Sequence, residues 1–157
     1  MKNLCTATIC VCITLSGLSS SAQNQKIPIN QPDYNKPMLF ASLPDKIPVS
    51  TDNLNSLFSV SVGKQVSVVT TDTHEFKFDG EVVSAASKYE NRIQSLVIRS
   101  TNYNGANFTV SRITNAQGLV SYTGRIISMQ HGDLYELKKE ADNFVLVKRK
   151  FYDLVNE

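Results

Sequence analysis

From Val66 to Val147 apolar residues return at every second position, a rhythm that admits β-strands and excludes helix over most of the chain. His74 to Val82 is the clearest stretch. Phe76, Phe78, Gly80 and Val82 fall on one side of it, and Glu75, Lys77, Asp79 and Glu81 on the other. A strand with one apolar and one charged face belongs in an antiparallel sheet packed on a single side. Ile93 to Arg99 predicts the next strand, with Leu96 and Ile98 inward. Ala106, Phe108 and Val110 then alternate with polar residues, as do Val120, Tyr122, Gly124 and Ile126. Tyr135 and Leu137, and then Phe144 to Val147, complete the series. Asn104-Gly105, Gln117-Gly118, His131-Gly132-Asp133 and Ala141-Asp142-Asn143 supply turns. Asn104 and Gly105 both tolerate positive φ, so that pair reads as a tight hairpin turn. Strands separated by such turns predict an all-β fold: an antiparallel meander forming a small barrel or sandwich.

The chain before this series has a different grammar. All five prolines, Pro28, Pro32, Pro37, Pro44 and Pro48, lie between residues 23 and 49. Proline removes a backbone donor and excludes continuous helix and central strands. Residues 23–49 therefore read as a Pro-rich extended arm, ahead of a single all-β domain over 50–157. Met38, Leu39, Phe40 and Leu43 form an apolar knot in this polar arm, a group expected to pack on the domain or on a partner. Ser50-Thr51-Asp52-Asn53 offers N-cap residues ahead of Leu54, Leu57 and Phe58, which predicts one short helix over about 51–59.

The first segment reads as an address. Lys2, an uncharged apolar run from Leu4 to Leu15, and Ser20 and Ala22 before a cleavage point form a secretory signal over 1–22. The apolar run is shorter than the roughly 20 residues a membrane-spanning helix needs. Cleavage after Ala22 removes all three cysteines and leaves 135 of the 157 residues. It also leaves 15 basic against 14 acidic residues, a net charge of +1. The expected product is periplasmic or secreted, and it carries no disulfide and no cysteine nucleophile.

The residues for catalysis or metal binding are sparse. His74 and His131 are the only histidines and have no metal-ligand spacing. There is no Gly-x-Ser-x-Gly elbow and no phosphate-binding glycine loop, so no cofactor is expected. Asp79, Glu81 and Asp133 are the acidic residues near glycine-bearing strands, and read as solvent-face charges. Lys148-Arg149-Lys150 beside Phe151 and Tyr152 mixes basic and aromatic groups, but near-neutral charge favours edge protection over nucleic-acid binding. One internal echo stands out: Phe78-Asp79-Gly80-Glu81-Val82-Val83-Ser84 parallels Tyr122-Thr123-Gly124-Arg125-Ile126-Ile127-Ser128. Gly80 and Gly124 at matching strand positions read as architectural.

The progression Gly63-Lys64-Gln65-Val66, Phe78-Asp79-Gly80-Glu81-Val82, Ser95-Leu96-Val97-Ile98, Gly124-Arg125-Ile126 and Tyr135-Glu136-Leu137 resembles the β-rich propeptide of reprolysin-type zinc metalloproteases. The similarity spans about residues 57–147. The sequence departs from that family in two ways: no cysteine follows residue 22 to cap a zinc ion, and no His-Glu-x-x-His motif is present. The resemblance implies a free-standing module that partners or inhibits a secreted protease by another route. From the residues alone, the expectation is a non-enzymatic binding module whose partner is another protein. The alternatives are an envelope-associated structural protein and a small-ligand-binding β-barrel.

Overall fold

The computed structural model describes residues 35–70 and 76–154. Its strands are β1 (Lys46–Val49), β2 (Gln65–Val69), β3 (Lys77–Lys88), β4 (Ile93–Ser100), β5 (Asn107–Thr114), β6 (Val120–Ile127), β7 (Asp133–Glu140) and β8 (Asn143–Lys150). One helix, α1 (Thr51–Leu57), lies between β1 and β2, and a short 3₁₀ turn, Phe151–Leu154, follows β8. From β2 to β8 each strand pairs antiparallel with the next, and β1 returns to pair with β8. The order β1-β8-β7-β6-β5-β4-β3-β2 makes β1 and β2, neighbours in sequence, the opposite edges of one sheet. That sheet curls into a half-barrel, so the all-β meander takes a single open form. The segment that links the two edges carries α1.

The helix begins where its cap dictates. Ser50 is extended and its Oγ accepts from the Asn53 backbone N–H at 3.1 Å. Seven residues make two turns, too few to stand alone in water. Burial of Leu54 and Leu57 against the concave face holds the helix in place.

The strand parities read from sequence place the core. Phe76, Phe78 and Val82 are buried, as are Leu96 and Ile98, Phe108 and Val110, Tyr122 and Ile126, Tyr135 and Leu137. Phe78 meets Phe108 edge-on with centroids 5.9 Å apart, and Tyr135 lies 5.2 Å from Phe40. These rings fill the middle of the half-barrel.

Gly80 and Gly124 mark where neighbouring backbones come too close for a side chain. A Cβ on Gly80 would lie 2.5 Å from Arg99 O, and one on Gly124 would lie 2.6 Å from Thr109 O. Asn104-Gly105 turns the chain differently from the expected hairpin. Residues 101–106 make a longer loop, closed by Ala106 N–H donating to Tyr103 O at 3.0 Å. Gly105 alone of the pair has positive φ (77°), the pattern of a type II turn.

The β7–β8 hairpin has a turn that the sequence serves poorly. Glu140 pairs with Asn143, so Ala141 and Asp142 alone form the loop. Ala141 takes φ 52°, the first loop position at which such hairpins favour glycine. Ala141→Gly is expected to raise stability by about 0.5–1 kcal/mol, relief of the left-handed cost less the added unfolded-chain entropy. The check is a urea midpoint that rises with unchanged slope; a lower midpoint contradicts it.

The boundary at residues 49 and 50 requires correction. Within the expected arm, Lys46–Val49 is strand β1, and Phe40, Ile47 and Val49 are core residues. A proline-bearing strand is tolerated here because β1 is an edge. The expected signal at 1–22 and the expected arm residues 23–34 lie outside the described residues.

Candidate functional site

Residues 36–45 lie across one end of the sheet as a strap, and backbone groups hold it. Asp133, the first residue of β7, is fully buried. Its Oδ1 accepts from Leu39 N–H and its Oδ2 from Phe40 N–H, each at 2.7 Å. Gly132 N–H donates to Pro37 O at 3.2 Å, and Lys148 N–H to Asp45 O at 2.8 Å. Lys36 Nζ donates to Met129 O at 2.6 Å. The Tyr135 hydroxyl donates to Pro44 O, and Lys148 Nζ to Leu43 O. Burial, and then the charge of Asp133, push the Tyr135 phenol well above its ordinary pKa, so it stays a donor at any physiological pH.

Of the two expectations for Met38, Leu39, Phe40 and Leu43, packing on the domain or on a partner, this arrangement shows packing on the domain. Phe40 is 0% exposed and offers no surface to a partner. Leu39 and Leu43 pack partly buried against the core, and only Met38, at 45%, faces outward. The knot closes the chain's own domain. Asp133, expected as a solvent-face charge, is instead fully buried, an inward position that its shared parity with Tyr135 and Leu137 made legible. Its partners were not, since they lie 93 and 94 positions away. His131 sits in a turn, its Nδ1 2.9 Å from Ser128 Oγ. His74 lies outside the described residues. Asp79 is on the outer face, where the Ser67 hydroxyl and then Lys77 hold its carboxyl below the usual range.

The two sheet edges are unlike. On β1, the bond from Lys148 N–H to Asp45 O sets the phase: Asp45, Ile47 and Val49 turn their backbone to β8, and Lys46 and Pro48 turn outward. Pro48 has no N–H, and Lys46 is charged and paired with Glu140 at 2.7 Å. Both are devices that discourage a further strand. On β2, Thr70 N–H donates to Phe76 O and Val82 N–H to Lys64 O. Lys64, Val66, Val68 and Thr70 therefore face β3, and Gln65, Ser67 and Val69 present N–H and C=O to the open side. Among the described residues, only Val69 O has a partner on that side, Asn53 Nδ2 at 2.7 Å.

No helix among the described residues is long and apolar enough to cross a membrane. Comparison with protein-family models, with curated proteins and with solved structures gives no match to this chain.

Proposed function

We propose that this chain is an exported binding module that captures an extended segment of another protein by adding it to the free edge of β2. The observation that carries this reading is the asymmetry of the edges: β1 is blunted by Pro48 and Lys46, whereas on β2 Gln65, Ser67 and the Val69 N–H have no partner on the open side among the described residues. Strand addition draws its affinity from main-chain hydrogen bonds and its selectivity from alternate side-chain pockets. It leaves almost no motif, in keeping with a sequence that shows none. The packed aromatic interior supports an edge site over a hollow ligand barrel. Export rests on Lys2, the apolar run and Ser20-Ser21-Ala22. The narrower form, partnership with a secreted protease, rests on the propeptide resemblance.

Ser67→Pro tests the edge. The Ser67 N–H points away from β3, so proline there spares the β2–β3 ladder and blocks an incoming strand. The expected result is capture of a secreted zinc metalloprotease by the native chain. Ser67→Pro is expected to weaken it about tenfold or more while Ser67→Ala retains it. Backbone amides of Gln65, Ser67 and Val69 exchange quickly in the free protein and become protected in the complex. Capture that survives Ser67→Pro, or protection confined to other strands, would sink the proposal.

A further inference from the structure

The two middle hairpins lose their flanking ladders before they end. β2 pairs with β3 only between Lys77 and Glu81, and β7 with β6 only between Gly124 and Ile127. Past those points β3 and β4 continue together to the Lys88–Ile93 pair, and β5 and β6 to the Thr114–Val120 pair. With β4 paired to β5 along the middle, the result is a four-stranded tongue. Alternate turns of a meander fall at the same end, so residues 89–92 and 115–119 share the tip. Thr114 N–H donates to Arg92 O at 2.8 Å and ties the two hairpins together.

The tip is apolar where turns are ordinarily polar. Tyr89 and Leu119 are 66% and 68% exposed, and Ile93, Ile113 and Val120 lie exposed on the strand ends beside them. Ile93 and Ile113 are direct cross-strand neighbours. Five of the nine large hydrophobic side chains exposed among the described residues are thus gathered at one end, whereas the same residues scattered singly would need no explanation. Lys88, Arg92 and the half-buried Arg112 directly precede Tyr89, Ile93 and Ile113 in the chain. Against them the tongue carries one carboxylate, Glu90, and none of these four charges is in an ion pair among the described residues. Tyr89, Glu90 and Asn91 also take φ of 52°, 55° and 67°. Such a left-handed run is strained at a bulky residue, and strain held at an exposed tyrosine points to a role outside the domain.

We propose that this tip seats in the surface of an anionic lipid bilayer. Leu119, Val120, Ile93 and Ile113 enter the boundary of the acyl region, the Tyr89 ring sits at headgroup depth, and Lys88 and Arg92 take lipid phosphates. Apolar burial and attraction to anionic headgroups add in binding of this kind, and the excess of cations over Glu90 sets its sign. The shape of the tip favours a bilayer over a folded partner. A folded protein would need a cleft matched to two projecting turns, whereas a fluid interface accepts them as they are. The β2 edge lies outside the tongue, so the seated domain still presents Gln65, Ser67 and Val69.

The chain has no tryptophan, so Leu119→Trp supplies a single fluorophore at the tip. The full chain carrying it is titrated with vesicles of equal parts phosphatidylglycerol and phosphatidylcholine, and separately with vesicles of phosphatidylcholine alone. A saturable blue shift is expected with the anionic vesicles, and binding about tenfold weaker with the neutral ones. Met129→Trp, exposed in the turn at the opposite end, is expected to keep its emission. It separates insertion of the tip from attachment through the apolar run near the N-terminus. Lys88→Gln with Arg92→Gln is expected to abolish the preference for anionic vesicles, and Tyr89→Ser beside Leu119→Trp to weaken binding about tenfold. No shift at Leu119→Trp, an equal shift at Met129→Trp, or equal binding to both kinds of vesicle would overturn the proposal. A shift caused by a captured metalloprotease and not by vesicles would overturn it too, and would assign the tip to a protein.

Discussion

Replacing Asp133 with alanine is expected to destabilise the domain by about 3–5 kcal/mol, near half the stability of an ordinary small domain. The reasoning is direct. Both carboxylate oxygens are taken by backbone donors, Leu39 N–H and Phe40 N–H, at a site where Asp133 is 0% exposed. Hydrogen bonds to a charged acceptor contribute about 1.5–3 kcal/mol each, and alanine leaves two N–H groups with no oxygen to meet. Asp133→Asn keeps one acceptor oxygen and is expected to cost about half as much. The strap is the element released, so protease cleavage within residues 36–45 should appear at urea concentrations below the global midpoint. Phe40→Ala removes the same docking from the side-chain end and is expected to cost about 3–5 kcal/mol by itself. If the strap docks as one unit, the double variant falls short of the sum by about 0.5–3 kcal/mol. Additive losses would show that the carboxylate and the ring act independently.

The strap also shows where sequence reading stops. The inward parity of β3, β5 and β6 was legible because charged and polar residues alternate with aromatic and aliphatic ones over whole strands. β1 was hidden by its brevity and by Pro48, a residue that argues against a central strand. The missing N–H turns out to face the open side, the one place in a sheet where it costs nothing. Asn104-Gly105 marked the right bend, yet the bonds from Ser100 N–H to Ala106 O and from Ala106 N–H to Tyr103 O decide its shape. The contrast between the two edges follows from hydrogen-bond phase, which composition and periodicity do not carry.

Gly80→Ala and Gly124→Ala are each expected to cost about 3 kcal/mol, although alanine is the mildest change available. Neither glycine has positive φ, so torsional strain is not the cause. At Gly80 the new methyl would meet Arg99 O at 2.5 Å and Ile98 Cγ2 at 2.6 Å. At Gly124 it would meet Thr109 O at 2.6 Å and Val110 Cα at 3.1 Å. These neighbours are mainly backbone of the adjoining strand, which can yield only if the strands part. The control is Gly118, where φ is 79° and nothing lies within 4 Å of a Cβ. Gly118→Ala carries the left-handed cost alone, about 1–2 kcal/mol, and Gly118→Asn recovers part of it. At Gly80 and Gly124, by contrast, asparagine is expected to be worse than alanine, because size rather than φ is limiting. Urea midpoints of the six variants separate the two mechanisms, and Gly80→Ala within about 1 kcal/mol of the native chain would remove the close-approach account. Gly80 pairs with Val66 of β2 as well as with Ser100 of β4. A methyl there therefore displaces the edge assigned to partner capture, and Gly80→Ala is expected to weaken binding in proportion, while Gly124→Ala, on β6 and four strands away from β2 in the order, lowers stability with capture retained.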